Sequence, residues 1–339
     1  MDGPLPAGKL PASALERLLA RFPRTDPAVL IGPRIGEDAA VVDVGDRYLV
    51  ITTDPITFAT DRIGWYAVHV NANDVATLGA RPRWFFATLL LPEGRADAGM
   101  AEAIATDIAQ ACAVLGVTVC GGHTEITTGL DRPIVVGQMI GEVARDGLVR
   151  KDRLAPGDRV LLTHGAAIEG TALLARERRE ALAGLDEALL ARAARLLVDP
   201  GISVVEAARV ATSAGRVRAM HDPTEGGIAS GLWELARAGG QGLRVAEDAI
   251  PILPETRGVC AALRLDPLRL LASGALLIAA SPGEARKIAE ALAACHIPVA
   301  DVAEVVPAEE GIRIGGPGDY RALEPAERDE VARVFAPGP

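Results

Sequence analysis

Acidic and amide side chains recur at the predicted ends of strands and helices in the first 125 residues of the chain. The series opens on the glycine turn Gly36-Glu37-Asp38-Ala39-Ala40 and continues with Asp54, Asn71, Asn73, Asp74 and Glu125. Hard divalent cations prefer such oxygen ligands, and magnesium usually reaches them together with the phosphates of a nucleotide. The pattern therefore predicts an enzyme that handles nucleotide phosphates.

Length and composition narrow the class of protein. With 339 residues the chain exceeds the size at which one core normally stops growing, so two domains are expected. A formal net charge of -10 argues against a nucleic-acid binder, which needs a basic face. The four cysteines form no Cys-x-x-Cys pair, and long uninterrupted apolar runs are missing from the sequence. We therefore expect a cytoplasmic enzyme with reduced thiols and no membrane partner.

A hairpin is predicted just after the acidic turn. Strands are expected over 39–44 and 48–53, because the Gly45-Asp46 pair between them is a strong turn signal. Asp54 would then lie just past the second strand.

Helical spacing of apolar residues over 62–79 puts Asn71 and Asp74 on one face of a helix. A short buried strand is predicted at 117–120, and the Gly121-Gly122 pair behind it would make a tight turn whose amides could meet phosphate. The other elements expected in this half are strands at 84–91 and 133–143 and a helix at 97–115.

The charged segment 145–157 ends in proline and glycine and is predicted to separate the two domains. The expected division is an N-terminal helix and arm (1–30), a first domain (31–144), the linker (145–157), a second domain (158–316) and a C-terminal tail (317–339). The second domain is predicted to alternate strands at 160–163, 243–246, 274–280 and 299–302 with helices at 169–197, 255–263 and 283–295 and with a helix that the segment 221–227 introduces and that runs through Ala238.

Five short motifs in a fixed order resemble the superfamily of aminoimidazole ribonucleotide (AIR) synthetase, the hydrogenase maturation protein HypE, thiamine monophosphate kinase and selenophosphate synthetase. The motifs are Gly36-Glu37-Asp38-Ala39-Ala40, Thr52-Thr53-Asp54, Asn71-Ala72-Asn73-Asp74 with Gly79-Ala80-Arg81-Pro82, Gly121-Gly122-His123-Thr124, and His221-Asp222-Pro223-Thr224-Glu225-Gly226-Gly227. Within the superfamily the chain looks most like HypE-like, AIR synthase-related proteins.

The resemblance implies an α+β, two-domain PurM-like fold. Its N-terminal sheet domain would form a barrel in a homodimer, and its C-terminal domain would be an α/β sandwich. It also implies ATP and Mg²⁺ as cofactors, with Asp38, Asp54 and Asp74 as metal ligands. The implied nucleotide-binding residues are Gly36, Glu37, Asp38, Ala39, Asn71, Gly121, Gly122 and His123.

Members of the superfamily phosphorylate an oxygen, commonly of an amide or carbonyl, so that it can leave as phosphate. The implied catalytic segment here is His221, Asp222 and Glu225, where Asp222 could instead cap the following helix and Glu225 could be a general base or a second metal ligand.

The chain departs from HypE in three places, because it ends in Pro339 rather than in a cysteine, has His123 after the paired glycines, and has Glu225 where HypE has arginine. The alternatives are a small-molecule kinase resembling thiamine monophosphate kinase and an ATP-binding maturation or regulatory protein that acts through a partner. The substrate could be a small molecule or a group carried on a protein.

Overall fold

A computed structural model describes residues 7–23 and 25–335 of the chain, which divide into two compact units. The smaller unit comprises Asp26–Gly32 and Asp38–Leu148. The larger unit comprises Pro33–Glu37, the chain from Val149 onward and the described residues before 26. The predicted lack of the C-terminal cysteine of HypE concerns residues after 335, which lie outside the described part of the chain.

The smaller unit is a mixed sheet with two helices. Its strands are β1 (Val29–Ile31), β2 (Ala40–Asp43), β3 (Arg47–Ile56), β4 (Arg81–Pro92), β5 (Thr118–Thr127) and β6 (Ile134–Ala144), and its helices are α2 (Ile63–Thr77) and α3 (Ala98–Leu115). The strand order is β1-β2-β3-β6-β4-β5, and only the β4–β5 pair is parallel. The predicted hairpin is confirmed as β2–β3, and the predicted helix over 62–79 is confirmed as α2.

Helix α2 is buried against the sheet because β6 carries glycine under it. A Cβ atom on Gly137 would lie 2.4 Å from Asn71 Nδ2, and one on Gly141 would lie 2.3 Å from Val75 Cγ1. Apart from Trp65, every residue of α2 is buried. A helix buried on nearly all sides is expected to be apolar all round. The polar residues of α2 are exceptions, and the close contact with β6 fixes their positions relative to the strands.

Two local predictions in the smaller unit are wrong. Asp54 does not follow the second strand of the hairpin but lies inside β3, opposite Gly137 of β6. The paired glycines do not make a tight turn behind a short buried strand, since Gly121 and Gly122 lie within β5, a ten-residue exposed strand at the end of the sheet. Both errors have one cause: pairing with distant strands extends these elements beyond what local patterns indicate.

Helix α3 covers part of the smaller unit and is capped at its N-terminus by Asp97, whose carboxylate accepts the Met100 N–H. Among the described residues, α3 is the one helix long and apolar enough to span a membrane by length and composition alone. A single helix of this kind does not indicate a membrane span, because the core helices of soluble proteins meet the same criterion of length and composition.

The larger unit has its own sheet of strands β7–β13, flanked by helices. The strands are β7 (Arg159–Thr163), β8 (Ala219–His221), β9 (Gly242–Ala246), β10 (Leu277–Ala280), β11 (Val299–Val306), β12 (Ile312–Gly315) and β13 (Arg321–Ala322). The helices are α1 (Ala12–Leu19), α4 (Ile168–Glu177), α5 (Glu187–Arg195), α6 (Val205–Ala214), α7 (Gly227–Gly239), α8 (Pro254–Leu263), α9 (Pro282–Ala294) and α10 (Glu330–Phe335). The strand order is β13-β12-β9-β11-β7-β10-β8, with only β9–β12 parallel.

One core holds helix α7 against this sheet. Ile228, Leu232 and Leu235 of α7 pack in the same cluster as Leu162 of β7 and Leu277 of β10. Burial of aliphatic side chains at about 25 cal/mol per Å² is the main stabilising term for such a contact. The segment 222–226, which joins β8 to α7, is thereby held at both ends by core elements.

Candidate functional site

Two of the predicted metal ligands in the smaller unit are tied together by a threonine. The hydroxyl of Thr52 in β3 lies 2.7 Å from Asp74 Oδ2 and 3.0 Å from the carbonyl oxygen of Asp38. Asp74 is 4% exposed, and its own carbonyl accepts a hydrogen bond of 2.7 Å from the Thr77 hydroxyl. Ala39, predicted to contact nucleotide, is buried at the start of the hairpin. Thr52 therefore fixes the acidic turn relative to α2.

The third predicted metal ligand, Asp54, is held to α2 through its main chain. Its N–H donates to Asn71 Oδ1 at 2.9 Å, and its carbonyl accepts from Asn71 Nδ2 at 3.3 Å. The Asn71 amide also donates to the Ala67 carbonyl at 2.9 Å. Asn71 is fully buried, so this amide acts as a clamp between β3 and α2. Its predicted role in nucleotide binding stays a prediction.

The other predicted phosphate-binding segment lies on the exposed edge strand β5. A Cβ atom on Gly122 would lie 1.9 Å from the Ala87 carbonyl oxygen, so only glycine lets β5 pair with β4 there. His123 and Glu125 point to the same side of the strand, with His123 Nε2 3.6 Å from Glu125 Oε2. Both side chains are exposed. Gly122 is needed for strand pairing whether or not a ligand binds.

In the larger unit, the first two residues of the acidic turn are held by basic side chains, one distant in sequence and one nearby. Gly36 has a φ of 79°, and its carbonyl accepts a hydrogen bond from Lys151 Nζ. Glu37 has a buried carboxylate whose Oε1 accepts from Arg34 Nε at 2.9 Å. Its Oε2 is buried and makes no hydrogen bond to any described residue. A buried acceptor without a donor is costly, so a ligand or water at Glu37 would be stabilising.

His221 lies at the centre of a buried polar chain. Its Nδ1 is 2.9 Å from Lys151 Nζ, and its Nε2 is 3.0 Å from Glu234 Oε2 on α7. His221 is 3% exposed and Lys151 is 4% exposed. The histidine ends β8, where it lies opposite Leu277 of β10. Glu234 also accepts from Lys9 Nζ at 3.4 Å.

The segment after β8 places the other two predicted catalytic residues differently. Asp222 is 2% exposed, whereas the Glu225 side chain is 35% exposed. The turn behind them needs glycine, since a Cβ atom on Gly227 would lie 2.5 Å from the Leu268 carbonyl oxygen. The Gly226 N–H donates to Asp329 Oδ2 at 2.6 Å. Glu225 is therefore the member of the trio that solvent reaches, and Asp329 accepts from the loop backbone before α7.

Two further buried acids lie near this loop. Burial raises the pKa of Glu169, in the first turn of α4, to about 8, and the carboxylates of Glu225 and Asp329 add to the rise while hydrogen bonding to Ser273 opposes it. Burial raises the pKa of Asp329 to about 6, against the lowering effect of the Gly226 and Val331 amides. Both groups therefore exchange protons closer to neutral pH than ordinary carboxyl groups do.

Four residues that sequence reasoning missed support these positions: Thr52, Lys151, Glu169 and Asp329. Thr52 belongs to the motif Thr52-Thr53-Asp54, so the sequence marked this residue but did not indicate its contacts with Asp38 and Asp74. Lys151 had a weak signal, since the whole chain contains only three lysines. No local pattern marks Glu169 or Asp329, because their burial depends on elements far away in sequence.

Comparison with protein families identifies both halves of the chain. Residues 36–143 match the N-terminal domain of AIR synthase related proteins, and residues 155–315 match the C-terminal domain. Carbamoyl dehydratase HypE of Rhizobium leguminosarum bv. viciae is 33% identical over 271 residues, which cover 78% of this chain and 73% of the relative. HypE of Escherichia coli is 29% identical over 87% of both chains.

Solved structures agree with the fold. HypE in complex with ATP superposes with a TM-score of 0.71 and 25% identity, covering 96% of this chain and 98% of that one. HypE from the HypE–HypF complex superposes with a TM-score of 0.75 and 22% identity, covering 93% and 100%. The predicted α+β, two-domain PurM-like fold is thus confirmed. The chain is an enzyme of the AIR synthase related family, as the sequence predicted, and HypE-like proteins are among its relatives.

Proposed function

We propose that this protein is an ATP- and Mg²⁺-dependent enzyme that phosphorylates a carbonyl, amide or similar oxygen and so activates it. The observation that carries the proposal is the attachment of the segments that bear the predicted acids to helix α2. Thr52 contacts the Asp38 main-chain carbonyl and the Asp74 carboxylate, and Asn71 of the same helix binds the Asp54 main chain. Similarity to a HypE that was solved with ATP supports the choice of nucleotide.

The three carboxylates supply the donor chemistry that magnesium requires, since hard cations take oxygen ligands. Asp38, Asp54 and Asp74 would hold the ion, which when bound neutralises phosphate charge during transfer. Thr52 and Asn71 keep the ligand-bearing segments in place. We assign the nucleotide phosphates to the segment Gly36–Ala39 and to the exposed glycine strand of Gly121, Gly122 and His123.

On the acceptor side we propose Asp222 and Glu225 as the groups that handle substrate, with His221 beside them. Glu225 is suited to contact substrate because its side chain is 35% exposed and lies on a glycine loop held by core elements. A carboxylate can take the proton that an acceptor oxygen or nitrogen releases.

The decisive test is Mg²⁺-dependent ATP binding by calorimetry and slow ATP hydrolysis in the full-length protein. We expect the parent to bind ATP with Mg²⁺ and the double variant Asp38→Ala, Asp74→Ala to lose at least about 100-fold in hydrolysis, because phosphoryl transfer depends on positioning and charge. Asp43→Ala is the matched control, since Asp43 pairs with Arg145 on the exposed end of β2. Absence of ATP binding by the parent would refute the proposal.

We also propose a homodimer that uses the exposed strand β5. Val119 and Ile126 of β5 are 47% and 63% exposed, and an exposed apolar edge strand readily accepts another strand. A maturation partner protein is proposed as well, because a HypE relative was solved together with HypF. Light scattering of the purified protein tests the dimer, and a strictly monomeric mass would exclude it.

A further inference from the structure

A buried chain of hydrogen bonds connects three distant segments of the larger unit. Lys151 lies in a short 3-10 turn, and its ammonium group donates to the Gly36 carbonyl and approaches His221 Nδ1 to 2.9 Å. These contacts span 115 and 70 residues of sequence. One lysine therefore links the start of the acidic turn to the start of the predicted catalytic segment.

The lysine determines which ring nitrogen of His221 carries the proton. An ammonium group has hydrogen-bond donors only, so His221 Nδ1 must be the acceptor. The ring proton is then on Nε2, from which it is donated to Glu234 Oε2 at 3.0 Å. Both ring nitrogens are thus engaged by protein groups, as in sites where a histidine's tautomer is set by its neighbours.

Gly36 is fixed from two sides by this arrangement. Its carbonyl accepts from Lys151, and a Cβ atom at Gly36 would lie 2.6 Å from the Glu234 main-chain carbonyl oxygen. Glu234 thus contributes its side chain to His221 and its main chain to the packing of Gly36. The conformation of the turn therefore depends on the same α7 residue that accepts the hydrogen bond from His221 Nε2.

We propose that Lys151 is a positioning residue for the acidic turn, and that His221 acts by holding Lys151 rather than by exchanging protons with substrate. The inference deepens the proposed function, on which it rests. It reduces the predicted catalytic trio to Asp222 and Glu225. It also gives Lys151 a role in nucleotide binding, because Lys151 holds Gly36, the first residue of the turn that we propose for phosphate binding.

The tautomer of His221 tests this inference without any assay of activity. In ¹⁵N-detected imidazole spectra of the full-length protein, we expect Nε2 to show the protonated signature and Nδ1 the unprotonated one, with assignment by through-bond correlation. Proton on Nδ1 would overturn the inference, because Lys151 could not then donate to that nitrogen.

Matched variants test the functional part. Lys151→Met should weaken ATP binding about tenfold or more, since it removes a charge-assisted hydrogen bond, while kcat changes little. Lys151→Arg should recover part of the affinity. Lys287→Met is the control, because Lys287 is an exposed lysine whose partner is Glu284 one turn away.

His221→Gln separates the two roles of the histidine. A glutamine amide retains one acceptor and one donor, so a positioning role predicts a raised KM for ATP with kcat reduced less than about tenfold. Loss of a proton-transfer group would instead lower kcat by about 100-fold or more. That larger loss, or ATP binding by Lys151→Met equal to that of Lys287→Met, would refute the inference. Failure of the parent to bind ATP would refute the proposed function, whereas the tautomer measurement would still report on the Lys151 contact.

Discussion

Replacing Glu169 with glutamine should make the protein more stable at neutral and alkaline pH but not at acidic pH. Glu169 is buried and its folded-state pKa is about 8, against an ordinary value of 4.5. Above pH 4.5 the unfolded chain ionises this group while the folded protein keeps it protonated. The free energy of unfolding is therefore highest below pH 4.5 and falls until the pH passes 8.

The size of the effect follows from the difference between the two pKa values. One pKa unit corresponds to about 1.4 kcal/mol, so Glu169 costs about 3 kcal/mol of stability at pH 7 and about 4 kcal/mol at pH 8. Glutamine has nearly the same shape and does not ionise. Its amide hydrogens add a desolvation cost of about 1–3 kcal/mol, but that cost is independent of pH.

The assay is chemical denaturation of the parent and of Glu169→Gln at pH 5, 7 and 8, with the difference in unfolding free energy as the readout. We expect that difference to shift in favour of the variant by several kcal/mol between pH 5 and pH 8. Glu290→Gln on the exposed side of α9 serves as the control and should show no such trend. A difference for Glu169→Gln that stays constant with pH would refute the assignment of a buried, protonated Glu169.

Three further predictions concern stability. Burial lowers the pKa of His69 to about 4, so on acidification the unfolded chain takes up a proton before the folded protein does. The unfolding free energy of the parent should therefore fall by about 2 kcal/mol between pH 6.5 and pH 5. Chemical denaturation of His69→Phe at the same two pH values should not show this fall. Gly122→Ala should destabilise the protein by about 2 kcal/mol or more because its Cβ would overlap the Ala87 carbonyl, whereas Gly121→Ala, 3.5 Å from the Phe86 ring, should have a melting temperature near that of the parent. Asp329→Ala should cost about 2 kcal/mol at pH 5 because the Gly226 and Val331 amides lose their acceptor, and less at pH 8, where the raised pKa of Asp329 already lowers the stability of the parent; equal melting temperatures at pH 5 would contradict this role.

Local patterns were sufficient to predict elements whose signals are contained within their own residues. The turn at Gly45-Asp46 predicted the β2–β3 hairpin, and the apolar spacing over 62–79 predicted α2. The ordered motifs indicated the family and hence the two-domain fold. The turn and the helical spacing each lie within one short stretch of sequence, and the motifs were matched to an order that is known for the family.

Features that depend on distant partners could not be predicted in this way. Nothing in the sequence around Gly121 shows that β5 pairs in parallel with β4, so a turn was expected where a strand occurs. The contact of Lys151 with His221 joins residues 70 positions apart, and its existence depends on the packing of β8 against α7. Motif recognition thus found residues of the candidate site but not the side chains that hold them.

The division of the chain between the two units has a consequence for its synthesis on the ribosome. The smaller unit lies almost entirely in one continuous stretch that ends at Leu148, so it can fold while the rest of the protein is still being made. The larger unit includes Pro33–Glu37 and Lys9, whose partners at Lys151, Thr224 and Glu234 are translated much later. Nascent chains therefore carry an early N-terminal arm that must wait for the C-terminal half, and truncated translation products should contain a folded smaller unit with an unfolded arm.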